Sequence, residues 1–384
     1  MNILHTIPGR NWGGMEQRTL EQVRWLLAHG HSAWYGTPPD GEPFRQATKA
    51  GVPVVPLRFD PAWRLDTMLK LRRFAKANQV DVIDTHVTRD AKAAMSCLDL
   101  CAVIRSRHVD QPLVSTWARR LQWRRGADHI ITVADSIRRG LIDIGLADEK
   151  RATWVGGWAE EKFFAAADPA VAGARARIRA ELDLPDDVPV LLCVAMLRPD
   201  KGQDHLIHAL ALLAKRGLAP ICLLAGEPTI QTKAFAAGLM PLATELGVAA
   251  QLRFLGYRTD IQELMQATDL VVISSLVEGQ PRVAVQSFAS RRPLVATSVG
   301  GVPEIIKEGI TGWLVPPAER QPLADAIAHA LLNPAEAAKV AANARSLAEV
   351  TMRIDVRMEQ TLETYQAALA YARTRRFPRW RGTR

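Results

Sequence analysis

At 384 residues and 48% hydrophobic content, the chain can bury large cores, and its length favours two domains over one. It holds no run of about eighteen or more uncharged apolar residues, and Met1-Asn2-Ile3-Leu4-His5 opens directly into a strand pattern, so neither a transmembrane helix nor a signal peptide is expected and a cytosolic location is. The formal charge of +9 is concentrated in residues 373–384 and in the basic, aromatic stretch 117–125, which suits either an anionic surface or a solvated arginine-rich face.

In chain order, residues 3–7 read as a strand, 8–14 as a loop, and 15–28 as a helix with Leu20, Val23, Leu26 and Leu27 on its apolar face and Gly30 stopping it. Strand patterns recur at 33–35, 52–55, 80–85, 102–104 and 129–133, separated mostly by helical patterns such as 66–78 and 89–101. That alternation predicts a parallel sheet with helices on both faces. Residues 163–189 shift to Ala, Asp, Arg and Pro and read as a crossing between domains with a helix inside it. A second set follows: strands at 190–195, 221–225, 252–255, 270–273, 294–296 and 313–315, with a helix at 204–215. Helical patterns fill 322–372, and the last, 353–372, is long enough to pack back on the first domain. The expected fold is therefore α/β, two Rossmann-like doubly wound domains facing a cleft. Residues 1–165, joined by a C-terminal helix within 355–384, form one domain and 166–354 the other. Cys97, Cys101, Cys193 and Cys222 lie in apolar segments with no metal-ligand spacing and read as buried thiols.

The dinucleotide reading fails, because no Gly-x-Gly-x-x-Gly follows either first strand and Ala33-Trp34-Tyr35-Gly36 lacks the acid that would hold a ribose. A Walker A sequence is absent too. After the first strand comes Gly9-Arg10-Asn11-Trp12-Gly13-Gly14-Met15-Glu16, whose adjacent glycines serve either a tight turn or a phosphate lying against backbone amides. Met196-Leu197-Arg198-Pro199-Asp200-Lys201-Gly202 puts two cations on the corresponding loop of the second set. The apolar strand 269–273 turns on Ser274-Ser275 and offers Glu278, after which Pro281 suits the first turn of a helix. The amides of Gly279, Gln280, Arg282 and Val283, around Pro281, then lie at a helix N-terminus at the C-terminal edge of a parallel sheet, where open α/β folds bind ligands. Ser298-Val299-Gly300-Gly301-Val302-Pro303-Glu304 repeats the paired-glycine pattern.

Together these motifs resemble the family 4 glycosyltransferases, retaining enzymes of the GT-B fold that use nucleotide sugars. The resemblance spans nearly the whole chain, through Gly13-Gly14-Met15-Glu16, Leu197 to Gly202, Phe254-Leu255-Gly256, Glu278-Gly279, Gly300 to Glu304 and Thr311 to Pro317. It implies that Glu278 binds hydroxyls of the donor sugar, that Lys201 with Arg198 neutralises the diphosphate, and that Gly13 and Gly14 lend amides to the distal phosphate. It also implies that His108 stands near the transferred sugar, with His86 ending the preceding strand on the acceptor side. Tyr257 and Arg258 either touch the base or are surface-loop residues. The chain departs from the family pattern at Met196, where an arginine usually stands five residues before the lysine, and at Gln286, eight positions after Glu278, where a second glutamate usually binds ribose hydroxyls. An amide can also donate to and accept from hydroxyls.

A glycoside hydrolase working through two carboxylates would lose its acid, base or nucleophile at such an amide, whereas transfer needs no such pair. The resemblance thus implies a retaining, metal-independent hexosyltransferase with no cofactor, its UDP- or GDP-sugar being a substrate. The expected acceptor is lipid-linked or of lipopolysaccharide type, since Ile104-Arg105-Ser106-Arg107-His108-Val109 is similar to lipopolysaccharide-type members. The stretch 117–125 would rest on the anionic inner leaflet, making the protein peripheral at the inner membrane face, with no nucleic acid partner. Met196 and Gln286 also motivate two alternatives: a nucleotide-sugar-binding protein without transferase activity, and a GT-B-type epimerase.

Overall fold

Among the described residues, segments of three to six residues separated by helices form thirteen parallel strands in two sheets. The computed structural model describes residues 1–60, 64–110, 113–165 and 173–374. They divide into one unit of Met1–Gly156 with the chain from Met358 onward, and a second of Gly157–Arg357. In the first unit β1 (Asn2–Thr6), β2 (Ser32–Thr37), β3 (Val54–Pro56), β4 (Val82–Thr85), β5 (Ala102–Arg107), β6 (His129–Thr132) and β7 (Ala152–Trp154) pair in the order 3-2-1-4-5-6-7. In the second, β8 (Val190–Val194), β9 (Ile221–Ala225), β10 (Leu252–Gly256), β11 (Leu270–Ile273), β12 (Leu294–Thr297) and β13 (Trp313–Val315) pair in the order 10-9-8-11-12-13. Both are Rossmann-like sheets whose order reverses once, beside β1 and beside β8. At these switch points the loops leaving neighbouring strands diverge to opposite faces and open a crevice at the strand C-termini.

Alternation along the strands fills both faces of the second sheet. Val190 and Leu192 of β8 join Val271 and Ile273 of β11 in one apolar cluster, while Leu191, Cys193, Leu270 and Val272 join the cluster on the other face. Strands buried on both sides read as continuous apolar runs, which is why they were legible as such. In the first unit Leu4, Ile83 and Val103 face a cluster that includes Phe59, Leu71 and Cys97. All four cysteines are buried thiols, and burial pushes those of Cys97 and Cys193 up to about 11 and about 12.

Two details differ from expectation. β7 was not foreseen: only three residues long, it lies at the sheet edge, where Ala152-Thr153-Trp154 carries little periodic signal. The first unit ends at Gly156, not at residue 165, because the short helix Glu161–Phe164 sends Phe163 and Phe164 into the second unit's core. The long helix Ile354–Thr374, expected to pack back on the first domain, passes into the first unit at Met358 and buries Tyr365 there. Residues 375–384 of the basic tail lie outside the described residues.

Candidate active site

In the second unit the switch point lies between β8 and β11. The loop after β8 carries Lys201 and the loop after β11 carries Glu278, and Lys201 Nζ stands 2.7 Å from Glu278 Oε1. Ser275 Oγ donates to the same carboxylate oxygen at 2.7 Å, and both charged side chains are largely buried. The turn is held by glycines that no other residue could replace without rearrangement. Gly202 has φ +62°, and a Cβ there would lie 2.1 Å from the Ser274 carbonyl oxygen. Gly300 has φ +51°, and a Cβ there would lie 1.9 Å from the carbonyl oxygen of Glu278 itself, while Gly301 N donates to Gly279 O at 2.7 Å. The Gly300-Gly301 pair is therefore the backing against which the Glu278 loop rests.

Past Glu278 the chain runs through Gly279 and Gln280 to Pro281, the N-cap of the helix Arg282–Ala289, so the amides of Arg282 and Val283 open that helix. Gln280 turns its side chain to the backbone, where Oε1 accepts from Gly157 N. Arg282 Nη2 lies 3.2 Å from Glu160 Oε2, and Gln286 Nε2 donates to that same oxygen at 3.3 Å. Two of the predicted cations are paired elsewhere. Arg198 forks onto Asp200 at 2.9 and 3.0 Å. Arg258 forks onto Asp260 at 2.8 and 2.6 Å and bonds Glu181 at 2.7 Å, which raises its pKa further. Tyr257 is exposed.

In the first unit the switch point lies between β1 and β4, whose register sets His5 opposite Asp84. A row of side chains crosses it. Tyr365 OH donates to Asp84 Oδ2 at 2.6 Å and lies 3.4 Å from His5 Nε2; His5 Nδ1 meets His86 Nε2 at 3.2 Å; His86 Nδ1 meets His108 Nε2 at 2.7 Å. Ser106 Oγ holds the other Asp84 oxygen at 2.7 Å. Burial lowers the imidazole of His5 to about 4 and that of His86 to about 3, and it lowers His108 well below the usual range. All three rings are consequently neutral near pH 7, each offering one donor and one acceptor, which is what a continuous row requires. His5, Asp84 and His86 also bring ligand atoms within 4.8 Å of one another, the composition of a metal site. Those atoms are already engaged in hydrogen bonds along the row. Gly13 precedes the helix Gly14–Ala28 and donates its N–H to Glu16 Oε2 at 3.0 Å, closing the helix start from within.

The model of the family described as Glycosyltransferase Family 4 matches residues 12–157, and the one described as Glycosyl transferases group 1 matches residues 174–347. The chain belongs to the family 4 glycosyltransferases. It is 32% identical over 252 residues to the D-inositol 3-phosphate glycosyltransferase of Mycolicibacterium paratuberculosis, a match covering 65% of this chain and 55% of that protein. The chain thus spans little more than half the length of this relative. Anabaena Alr3699/HepE, solved in complex with UDP-glucose, superposes with a TM-score of 0.83 at 24% identity, covering 96% of this chain and all of that one. WaaG, a glycosyltransferase involved in lipopolysaccharide biosynthesis, gives 0.68 at 16% identity, covering 93% and 98%. The fold is GT-B.

The predicted residues Lys201, Glu278 and Gly279 to Val283 come together at one switch point, and His86 and His108 at the other. Arg198 and Arg258 meet acids instead. His5, Asp84, Tyr365 and Glu160 were missed, since each matters only through partners distant in sequence. The stretch 117–125 forms the helix Trp117–Arg125, but its two tryptophans part company. Trp117 is exposed, whereas Trp123 is buried and stacks under Arg105 at 4.3 Å. Beside the helix lies an open groove of about 780 Å³ lined by Trp117, Arg120, Arg124, Lys150, Arg151 and Tyr371 among others. Among the described residues no helix is long and apolar enough to cross a membrane.

Proposed function

We propose that this glycosyltransferase transfers a hexose-type sugar from a UDP- or GDP-linked donor to a lipid-linked or lipopolysaccharide-type acceptor at the inner face of the membrane, with retention and without a metal. The observation that carries the reading is the Lys201–Glu278 pair at 2.7 Å beside a helix N-terminus at the β8/β11 switch point. A carboxylate suited to sugar hydroxyls and a cation suited to a diphosphate stand side by side, and a nucleotide sugar carries those two groups on either side of its anomeric carbon. Donor binding exchanges the pair's partners: the diphosphate takes Lys201 and the helix-start amides, and the sugar hydroxyls take Glu278. As the glycosidic bond breaks, charge grows on the diphosphate, where Lys201 and the amides are already oriented. The acceptor's hydroxyl oxygen bonds the anomeric carbon on the face the diphosphate leaves, and the diphosphate takes the proton that hydroxyl gives up. HepE's complex with UDP-glucose supports the donor class, and the inositol phosphate and lipopolysaccharide enzymes support a phosphorylated or lipid-bound acceptor.

Two other readings are motivated by Met196, Gln286 and the engagement of Arg198 by Asp200: a nucleotide-sugar binder and an epimerase. Incubation with a panel of UDP-, GDP- and ADP-sugars separates all three. A transferase releases the nucleoside diphosphate when acceptor is present, an epimerase changes the sugar without releasing it, and a binder does neither. Glu278→Ala is expected to abolish turnover, and an unaffected rate would refute its role.

A further inference from the structure

Gln286 stands where a carboxylate for the nucleotide's ribose is expected, and the side chain it holds is a carboxylate. Its Nε2 donates to Glu160 Oε2 at 3.3 Å, and Arg282, one helical turn earlier, brings Nη2 to the same atom at 3.2 Å. The backbone leading into Glu160 is fixed at two points. Gly157 N donates to Gln280 Oε1 at the start of the same helix, and Ala159 N donates to Met352 O at 3.1 Å. We infer that Glu160 supplies the carboxylate that receives the ribose hydroxyls of the donor nucleotide, and that Gln286 and Arg282 position it.

Three properties suit Glu160 to this task. Its carboxyl is held below the usual carboxylate range: burial, the largest single influence, would raise it, but the charges of Arg282 and Lys162 together with hydrogen bonds from its own backbone and from Gln286 outweigh burial. It is reachable, with 27% of the side chain exposed. It has capacity left, because a carboxylate accepts at about four positions; Gln286 and Arg282 meet Oε2, its own backbone N–H takes a further position, and Lys162 Nζ stands 3.6 Å from Oε1 as an ion-pair partner. Gln286 is then no weakened glutamate. A glutamate at 286 would face Glu160 at hydrogen-bond distance, and two carboxylates so close cannot both ionise. The amide is the residue that lets position 160 carry the charge.

The inference rests on the donor-site reading above, and one set of binding measurements separates their failures. Calorimetry measures UDP beside 2′-deoxy-UDP, and GDP beside 2′-deoxy-GDP, for the wild type, Glu160→Gln, Gln286→Glu and the exchanged pair Glu160→Gln/Gln286→Glu. The wild type is expected to prefer the ribonucleotide by about tenfold or more, the effect of a hydroxyl bonded to a charged acceptor. Glu160→Gln should lose that preference. Gln286→Glu should weaken ribonucleotide binding at pH 8 and regain it at lower pH, and the exchanged pair should restore the preference. A ratio unchanged in Glu160→Gln overturns the assignment whatever the variant's stability, because both nucleotides are measured on the same folded protein. A wild type that binds none of the four nucleotides removes the donor site itself, and this inference with it.

Discussion

Gly300 illustrates how a single residue sets the geometry of the Glu278 loop. Its φ of +51° costs a side-chain-bearing residue about 1 kcal/mol, and a Cβ would meet Glu278 O at 1.9 Å, a clash that only movement of the loop relieves. Gly309 is the internal comparison, since its φ of +66° faces open space. Gly309→Ala should therefore cost about 1 kcal/mol in urea unfolding, whereas Gly300→Ala should cost about 2 kcal/mol more and also weaken UDP binding through displaced Glu278. Equal losses in the two variants would show that the Glu278 loop does not rest on Gly300. Lys201 and Glu278, 77 positions apart, were legible in advance because each sits in a recognisable motif that follows its own strand. Gln286 was legible as a departure but not as a donor to Glu160, 126 positions away. Gly13 was visible as a glycine at a helix start, yet its N–H closes onto Glu16, three residues later, because a buried carboxylate needs a donor and the amide is the near one.

At the scale of elements, the strand pattern gave the sheets but not what their ends bring together. His5 reads as one residue of a strand; it becomes part of a row only because β4 lies beside β1 and the helix Ile354–Thr374 returns Tyr365 from 360 positions away. Tyr365→Phe removes the 2.6 Å donor to Asp84 and leaves that buried carboxyl oxygen short of a partner. The expected cost is about 1–3 kcal/mol in urea unfolding, and a cost near zero would mean the helix is held by its apolar contacts alone. The row should also make stability depend on pH. The folded chain keeps His5 neutral down to about 4, whereas the unfolded chain takes up that proton near 6.5. Stability present above pH 6.5 is thus lost as the pH falls toward 4, and His5 alone contributes a loss on the order of 2 kcal/mol by pH 4.5. Asp84 and Asp90, whose carboxyls burial raises, work in the opposite direction. The decisive comparison is therefore between variants: His5→Asn should lose less stability than the wild type between pH 7 and pH 4.5, and parallel curves would exclude His5 as an acid-sensitive point.

For the whole molecule the question is where a chain of formal charge +9 places its excess cations. The helix Trp117–Arg125 exposes Trp117, Arg120, Leu121, Arg124 and Arg125 while Trp123 anchors it to the core. Lys150 and Arg151 line the groove beside it, and Arg151 stacks over Tyr371 at 4.7 Å. An exposed tryptophan and leucine set among arginines suit a headgroup layer, where the rings settle at the interface and the cations meet lipid phosphates. Each basic residue near an anionic surface is worth about 1 kcal/mol, so three arginines raise binding by roughly a hundredfold, an effect that salt should reverse as the screening length shrinks from about 10 Å at 0.1 M to about 3 Å at 1 M. Sedimentation with phosphatidylglycerol-containing vesicles should accordingly bring the protein down at low salt, release it at high salt, and leave it in the supernatant with purely zwitterionic vesicles. Arg124→Glu/Arg125→Glu should abolish the low-salt binding, and Trp117→Ala should weaken what survives as salt is raised, since the ring's contribution is not electrostatic. Wild-type protein that stays in the supernatant at low salt would sink the membrane reading and leave this helix as a solvated arginine-rich face.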